Sequence, residues 1–205
     1  MTRLPSHSAP QTPELSSPPR RIRWRLIGWS IPVALLMLPL IAMQFTDEVD
    51  WDLPDFIIMG TLMGIAGGGI ELAMKLSQNI RYRVAAVLAV LAGFVLIWVN
   101  LAVGIIGDDD LPMDLPYFVV MMGGLLGAVG SRFRAAALAV TLYLMVLALV
   151  LIAVWVIVSG SVAAHTSSID VIGITGFFST LFLVPAMLFQ QAARDEREQA
   201  AQHHD

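Results

Sequence analysis

The chain contains no cysteine, so it can form no disulfide, thiolate nucleophile or cysteine-ligated metal site. Of its four histidines, three (His7, His203 and His204) stand in the terminal stretches, which argues against a histidine-rich catalytic centre. Charge is scarce as well: 14% of residues are charged, where soluble domains carry about a quarter. The patterns HExxH, GxSxG, CxxC and the phosphate-binding P-loop are missing, and the predicted outer loops are short. These absences predict a protein that is not an enzyme and binds no cofactor.

What is present is apolar residue, at 57% of the chain and a mean hydropathy of +0.76. It comes in six blocks, 26–45, 56–76, 84–106, 115–131, 135–158 and 171–189. Most are long enough for a helix rising 1.5 Å per residue to cross a hydrocarbon core of about 30 Å. A segment inside lipid must satisfy its own backbone, and barrel strands of about 10 alternating residues are not seen, so the runs are predicted to be helices. The expected fold is an all-α membrane protein with six transmembrane helices arranged as three helical hairpins. Residues 1–20, rich in proline and serine, are expected to be a disordered cytoplasmic tail, 21–190 the membrane domain with an uncleaved first span, and 191–205 a second cytoplasmic tail.

Charge orients this arrangement. All 12 basic residues lie before span 1, at the junctions between spans 2 and 3 and between spans 4 and 5, or after span 6. The opposite side carries ten acids and no base: Asp47, Glu48, Asp50, Asp52, Asp55, Asp108, Asp109, Asp110, Asp114 and Asp170. The positive-inside rule then puts both termini in the cytoplasm. Trp51, Trp98, Trp155 and Tyr117 fall near the outer ends and Trp24 and Trp29 near the inner one, as an interfacial belt requires.

Displacing the sequence by 62 positions aligns 47–68 with 109–130 at 8 identities in 22. The shared core is Asp-Leu-Pro-x-Phe, at Asp52, Leu53, Pro54, Phe56 and again at Asp114, Leu115, Pro116, Phe118. This points to an internal repeat of the first two hairpins. An Asp just ahead of a first-turn proline has the signature of a helix cap, so Asp52 and Asp114 are read as caps, and Asp170 with them. Glycines concentrate in spans 2, 4 and 6, which are therefore expected to meet one another through small-residue contacts.

Among the polar residues inside the spans, Glu71 with Lys75, and Asn100, stand out. Glu71 is 15 residues into span 2, with Lys75 four residues on, the spacing of a same-face ion pair. Asn100 lies near the outer end of span 3, where its amide can bond a neighbouring helix. Asp47, Glu48, Asp50, Asp108, Asp109 and Asp110 form a diffuse outer acidic surface expected to attract cations weakly, without a defined metal cage. His165 is expected to be a solvated loop residue.

The stretch Gln44-Phe45-Thr46-Asp47-Glu48-Val49 with Trp51, then Asp55-Phe56, and above all the run from Trp98 to Gly107 (Trp-Val-Asn-Leu-Ala-Val-Gly-Ile-Ile-Gly), resembles a family of small bacterial multi-pass membrane proteins with no assigned function. The likeness spans about 35–194 and is helped by Tyr117-Phe118 and Gly176-Phe177-Phe178. It implies a bacterial inner-membrane location. Relatives carry a loop resembling Ser-Glu-Asp-Asn-Pro-Ala-Asn where this chain has Asp108 to Asp114, so Leu111 and Asp114 stand at asparagine positions. Asp replaces Asn without loss as a cap, whereas Leu111 speaks against an amide-based ligand site.

The expected function is that of a non-catalytic membrane component, a partner subunit, assembly factor or envelope-stress element. Its partners would be the lipid bilayer and another membrane protein or a second copy of itself, with no nucleic acid. The alternative is a small transporter or cation channel with an acidic periplasmic vestibule.

Overall fold

The computed structural model describes residues 20–103, 115–160 and 167–202, and all regular structure among them is helical. The helices are α1 (Arg20–Ala42), α2 (Leu53–Leu76), α3 (Ile80–Val103), α4 (Leu115–Gly130), α5 (Ala135–Ser159) and α6 (Ser168–Gln202). Four stretches, Leu53–Leu76, Ile80–Leu101, Ala135–Ser159 and Ser168–Gln202, are long and apolar enough to cross a membrane. α4 agrees with the span expected at 115–131 to within one residue, whereas α1 ends three residues before the end expected at 45. In α1 the reason is local. The helix stops at Ala42, where the amides of Gln44 and Phe45 bond back only three residues, to Ile41 and Ala42, at 3.0 and 2.9 Å. The 16 residues of α4 cover about 24 Å. At the other extreme, α6 does not end near Phe189 but continues to Gln202 through most of the expected tail. Ala, Gln, Glu and Arg fill that extension, all good helix formers, and Ala192 and Ala193 are buried, so packing holds its first turn. The tail expected at 1–20 lies outside the described residues except for Arg20.

The chain divides between Trp51 and Asp52 into two units. The first holds α1, which is apolar on several faces at once: Ile31, Val33, Leu35 and Leu38 are all exposed. A helix apolar all round belongs in an apolar surrounding.

In the second unit α6 is the centre. It packs against α3 on one side and α5 on the other, while α2 lies on α3 and α4 on α5. The order across the unit is thus α2, α3, α6, α5, α4. Leu96, Leu149, Phe182, Pro185 and Phe189 are its largest fully buried side chains. Close approach in the middle comes from alanine: Ala85 and Ala92 on α3 and Ala186 and Ala192 on α6 have no exposed surface. This overturns the expectation that the glycines of spans 2, 4 and 6 join those helices. Side chains added at Gly64, Gly68, Gly123, Gly130, Gly173 or Gly176 would meet open space. Among the glycines of spans 2, 4 and 6, those that do make contact face odd-numbered helices: Gly69 lies against Val90, Gly124 against Met145 and Gly127 against Thr141. Counting glycines identifies a small-residue helix but not the direction in which it points.

Helix ends are closed by side chains and turns. Asp52 accepts from the Asp55 amide at 3.1 Å while Asp55 accepts from the Asp52 amide at 3.0 Å, a reciprocal capping box with Pro54 in the first turn. At α6 the arrangement differs from the expected one. The Ser167 hydroxyl accepts from the Asp170 amide at 3.2 Å and Asp170 accepts from the Ser167 amide at 2.8 Å. Ser167 is therefore the cap and Asp170 its partner three residues on. Asp114 lies outside the described residues. Between α4 and α5 the amide of Phe133 bonds the Ala128 carbonyl at 3.1 Å and that of Arg132 bonds Val129 at 3.0 Å, a Schellman turn. Arg132 and Phe133 take φ of 51° and 58°, left-handed positions that glycine would occupy without strain.

Candidate functional site

One end of the second unit collects its basic segments. The Tyr82 hydroxyl, near the start of α3, donates to the carbonyl of Phe133 in the α4–α5 turn at 2.8 Å, and its ring meets Phe189 of α6 edge-on at 5.1 Å. Next to it, Arg81 pairs with Asp195 of α6, and the Asn79 amide donates to the same carboxylate at 3.2 Å. These contacts bring the α2–α3 junction, the α4–α5 turn and the later part of α6 to a common level, and Lys75, Arg81, Arg83, Arg132, Arg134 and Arg194 with them.

Arg83 works locally. Its guanidinium donates to the carbonyls of Ser77 at 2.7 Å and Met74 at 3.2 Å, satisfying acceptors that the end of α2 leaves unpaired and placing a cation at a helix C-terminus. Asn79 accepts from the Arg81 amide at 2.9 Å and so opens α3. Arg134 precedes α5 without making a side-chain cap. Two arginines beside a helix N-terminus oppose the helix dipole, so their placement is not explained by the stability of α5.

The expected site residues are scattered. Asp47, Glu48 and Asp50 are exposed beyond α1, and the Glu48 amide donates to the Thr46 hydroxyl at 3.1 Å. Asp108, Asp109, Asp110 and His165 lie outside the described residues. Asp52 and Asp55 each commit an oxygen to the backbone at the start of α2. No group of three or more His, Asp or Glu that could hold a metal occurs among the described residues. On α2, Glu71 is half-buried and Lys75 exposed. Asn100 is 7% exposed, but its amide donates to Leu96 of its own helix, at 3.2 Å, rather than to a neighbour. Its Oδ1 is buried and has no hydrogen-bond partner among the described residues, and the hydroxyl of Ser179 on α6 shares that condition. Asn100 stands 18 residues along α3 from Tyr82, about 27 Å from the basic end.

The feature that sequence reasoning did not reach is a groove of about 340 Å³. Leu72 and Leu76 of α2 form one wall and Met121, Leu125 and Ala128 of α4 the other. The floor is laid by Ala86, Ala89 and Gly93 of α3, Thr141 and Met145 of α5, and Phe182 and Phe189 of α6. Its lining draws on the half of each helix nearest the basic end, with Tyr82 and Phe133 at that end. The row of helices thus curves, and the groove is its concave side. The Thr141 hydroxyl is spent on the Ala137 carbonyl at 3.0 Å and that of Tyr82 on Phe133, so the groove offers a hydrocarbon surface. The small residues of its floor, Ala86, Ala89 and Gly93, are visible in the sequence, but a curved row of helices is a tertiary property.

No protein-family description, curated protein or solved structure matches the chain.

Proposed function

We propose that the protein is a non-catalytic, six-span component of a bacterial inner membrane, with its basic segments and both termini in the cytoplasm, that acts by associating laterally with another membrane protein or a second copy of itself. The observation that carries this reading is the open ends of the helix row. Within the second unit α2 packs on α3 and α4 on α5, leaving Ile57 and Ile58 of one and Val119, Met122 and Leu126 of the other exposed. In lipid such faces gain nothing from the hydrophobic effect, but they can gain packing contacts from a neighbouring helix. The gathering of the basic segments at one end supports the orientation, and the Asp-Leu-Pro-x-Phe repeat supports duplicated hairpins. The resemblance of the Trp98 to Gly107 run supports the bacterial assignment.

Affinity purification of the tagged full chain in mild detergent tests the proposal. A stoichiometric membrane partner or a defined oligomer is expected; a monomer that carries ions across proteoliposome membranes would replace the reading. The transporter alternative has one observation in its favour, the unpaired Oδ1 of Asn100. Buried polar atoms without partners deserve a functional question. If that alternative holds, Asn100→Ala abolishes flux while the protein still folds.

A further inference from the structure

The groove and the basic end are adjacent, and together they define an amphipathic ligand. Leu76, in the wall contributed by α2, follows the exposed Lys75, while Phe133 at the end of the groove lies between the exposed Arg132 and Arg134. The acids near this end are Asp195, already held by Arg81 and Asn79, with Glu196 and Glu198 beyond it on α6, and Glu71 on α2. Three cations therefore edge a hydrocarbon slot.

The size of the slot limits its occupant. A groove of about 340 Å³ lies at the lower end of the range for small-molecule sites. A void would forfeit dispersion contacts along its whole lining, and in a bilayer the nearest filler is an acyl chain. Because lipid tails are as apolar as the groove, the tail contributes packing but little selectivity. Selectivity must come from the headgroup, which here meets positive charge.

We propose that the groove seats an acyl chain of an anionic phospholipid from the leaflet at the basic end, with Lys75, Arg132 and Arg134 holding the phosphate. The proposal rests on the reading of the chain as membrane-spanning. Each basic residue near the surface is worth about fivefold in affinity for an anionic lipid.

Full-length protein purified in mild detergent, titrated with phosphatidylglycerol or phosphatidylcholine and followed by native mass spectrometry and thermal melting, tests it. Phosphatidylglycerol should be retained at one per chain and raise the melting temperature more than phosphatidylcholine does. The Lys75→Gln/Arg134→Gln double variant, changed only at exposed positions, should lose about 25-fold of that preference. Leu125→Trp fills the groove and should lose the lipid, whereas Leu144→Trp, equally exposed on α5 but outside the groove, should keep it. Equal binding of the two lipids, or equal retention by the two tryptophan variants, overturns the proposal. If Leu125→Trp does not fold, the double variant decides alone. A chain that stays soluble without detergent would instead refute the membrane reading.

Discussion

Adding one methyl group at Gly127 and one at Gly64 separates a glycine that packs from one that does not. In a helix interior Gly→Ala is worth about 1 kcal/mol in propensity, a gain common to both sites. At Gly64 a Cβ meets nothing within 4 Å, so that gain should appear nearly whole. At Gly127 the Cβ would lie 2.6 Å from Thr141 Cγ2 and 2.8 Å from Oγ1, well inside the roughly 3.5–4 Å of a favourable contact. Thr141 cannot turn away cheaply, because it is β-branched and its hydroxyl bonds the Ala137 carbonyl at 3.0 Å. Overpacking of this kind costs about 1–3 kcal/mol, so once the propensity gain of about 1 kcal/mol is subtracted Gly127→Ala should be destabilising by up to about 2 kcal/mol. The two variants therefore differ by about 1–3 kcal/mol, and at about 2–4 °C per kcal/mol they should melt roughly 2–12 °C apart in the same detergent. Thr141→Ala removes both clashing atoms, and the Gly127→Ala/Thr141→Ala double variant should regain most of the loss. Equal shifts at the two glycines, or no recovery in the double variant, would refute the α4–α5 packing.

Tyr82→Phe keeps the ring on Phe189 but leaves the Phe133 carbonyl without its donor; a loss of about 1–3 kcal/mol is expected in detergent melts, and an unchanged midpoint would show that the bond contributes nothing. Asp170 stands ahead of the apolar run that begins at Val171, and the amide and then the hydroxyl of Ser167 hold its carboxyl below the ordinary aspartate value of 3.8. A lowered folded pKa means that this stabilisation is complete above the ordinary value and fades as the pH falls through the folded one; Asp170→Asn should flatten that acid limb of the stability profile, and an unchanged limb would remove the capping box from the account. Asn100→Leu discards a buried, unpaired oxygen and should leave stability unchanged or raise it by about 1–2 kcal/mol, whereas a loss of that size would show that the oxygen has a partner in the folded protein.

Much of the helix layout was legible because an apolar run bounded by charge is a one-dimensional signal. The start of α2 is a case in point, since Asp52, Pro54 and Asp55 within four positions carry their own capping chemistry. Where the reading failed, the deciding quantity was three-dimensional. Gly64 and Gly127 look alike in sequence, yet only one faces a neighbour. The extension of α6 was missed because an apolar criterion stops at Phe189, although the alanines beyond it are both helix-forming and buried. Ser167 was overlooked as a cap because the acid three residues later drew the attention, and in a capping box the two share the work. Nothing in the sequence announced the role of Tyr82, because its tie from α3 to a turn some 50 residues away depends on how the helices are arranged.

The account stands on how often the chain crosses the membrane and in which direction, and paired reporter fusions after Thr46, Gln78, Gly107, Ser161 and Phe189 measure that directly. The fusions at Thr46, Gly107 and Ser161 should report outside, and those at Gln78 and Phe189 inside. The count depends most on α1 and α4, which lie outside the four stretches Leu53–Leu76, Ile80–Leu101, Ala135–Ser159 and Ser168–Gln202, and the fusions at Thr46 and Gly107 read those two helices. A well-expressed fusion reporting inside at either of those positions, or outside at Gln78, would contradict the six-span arrangement.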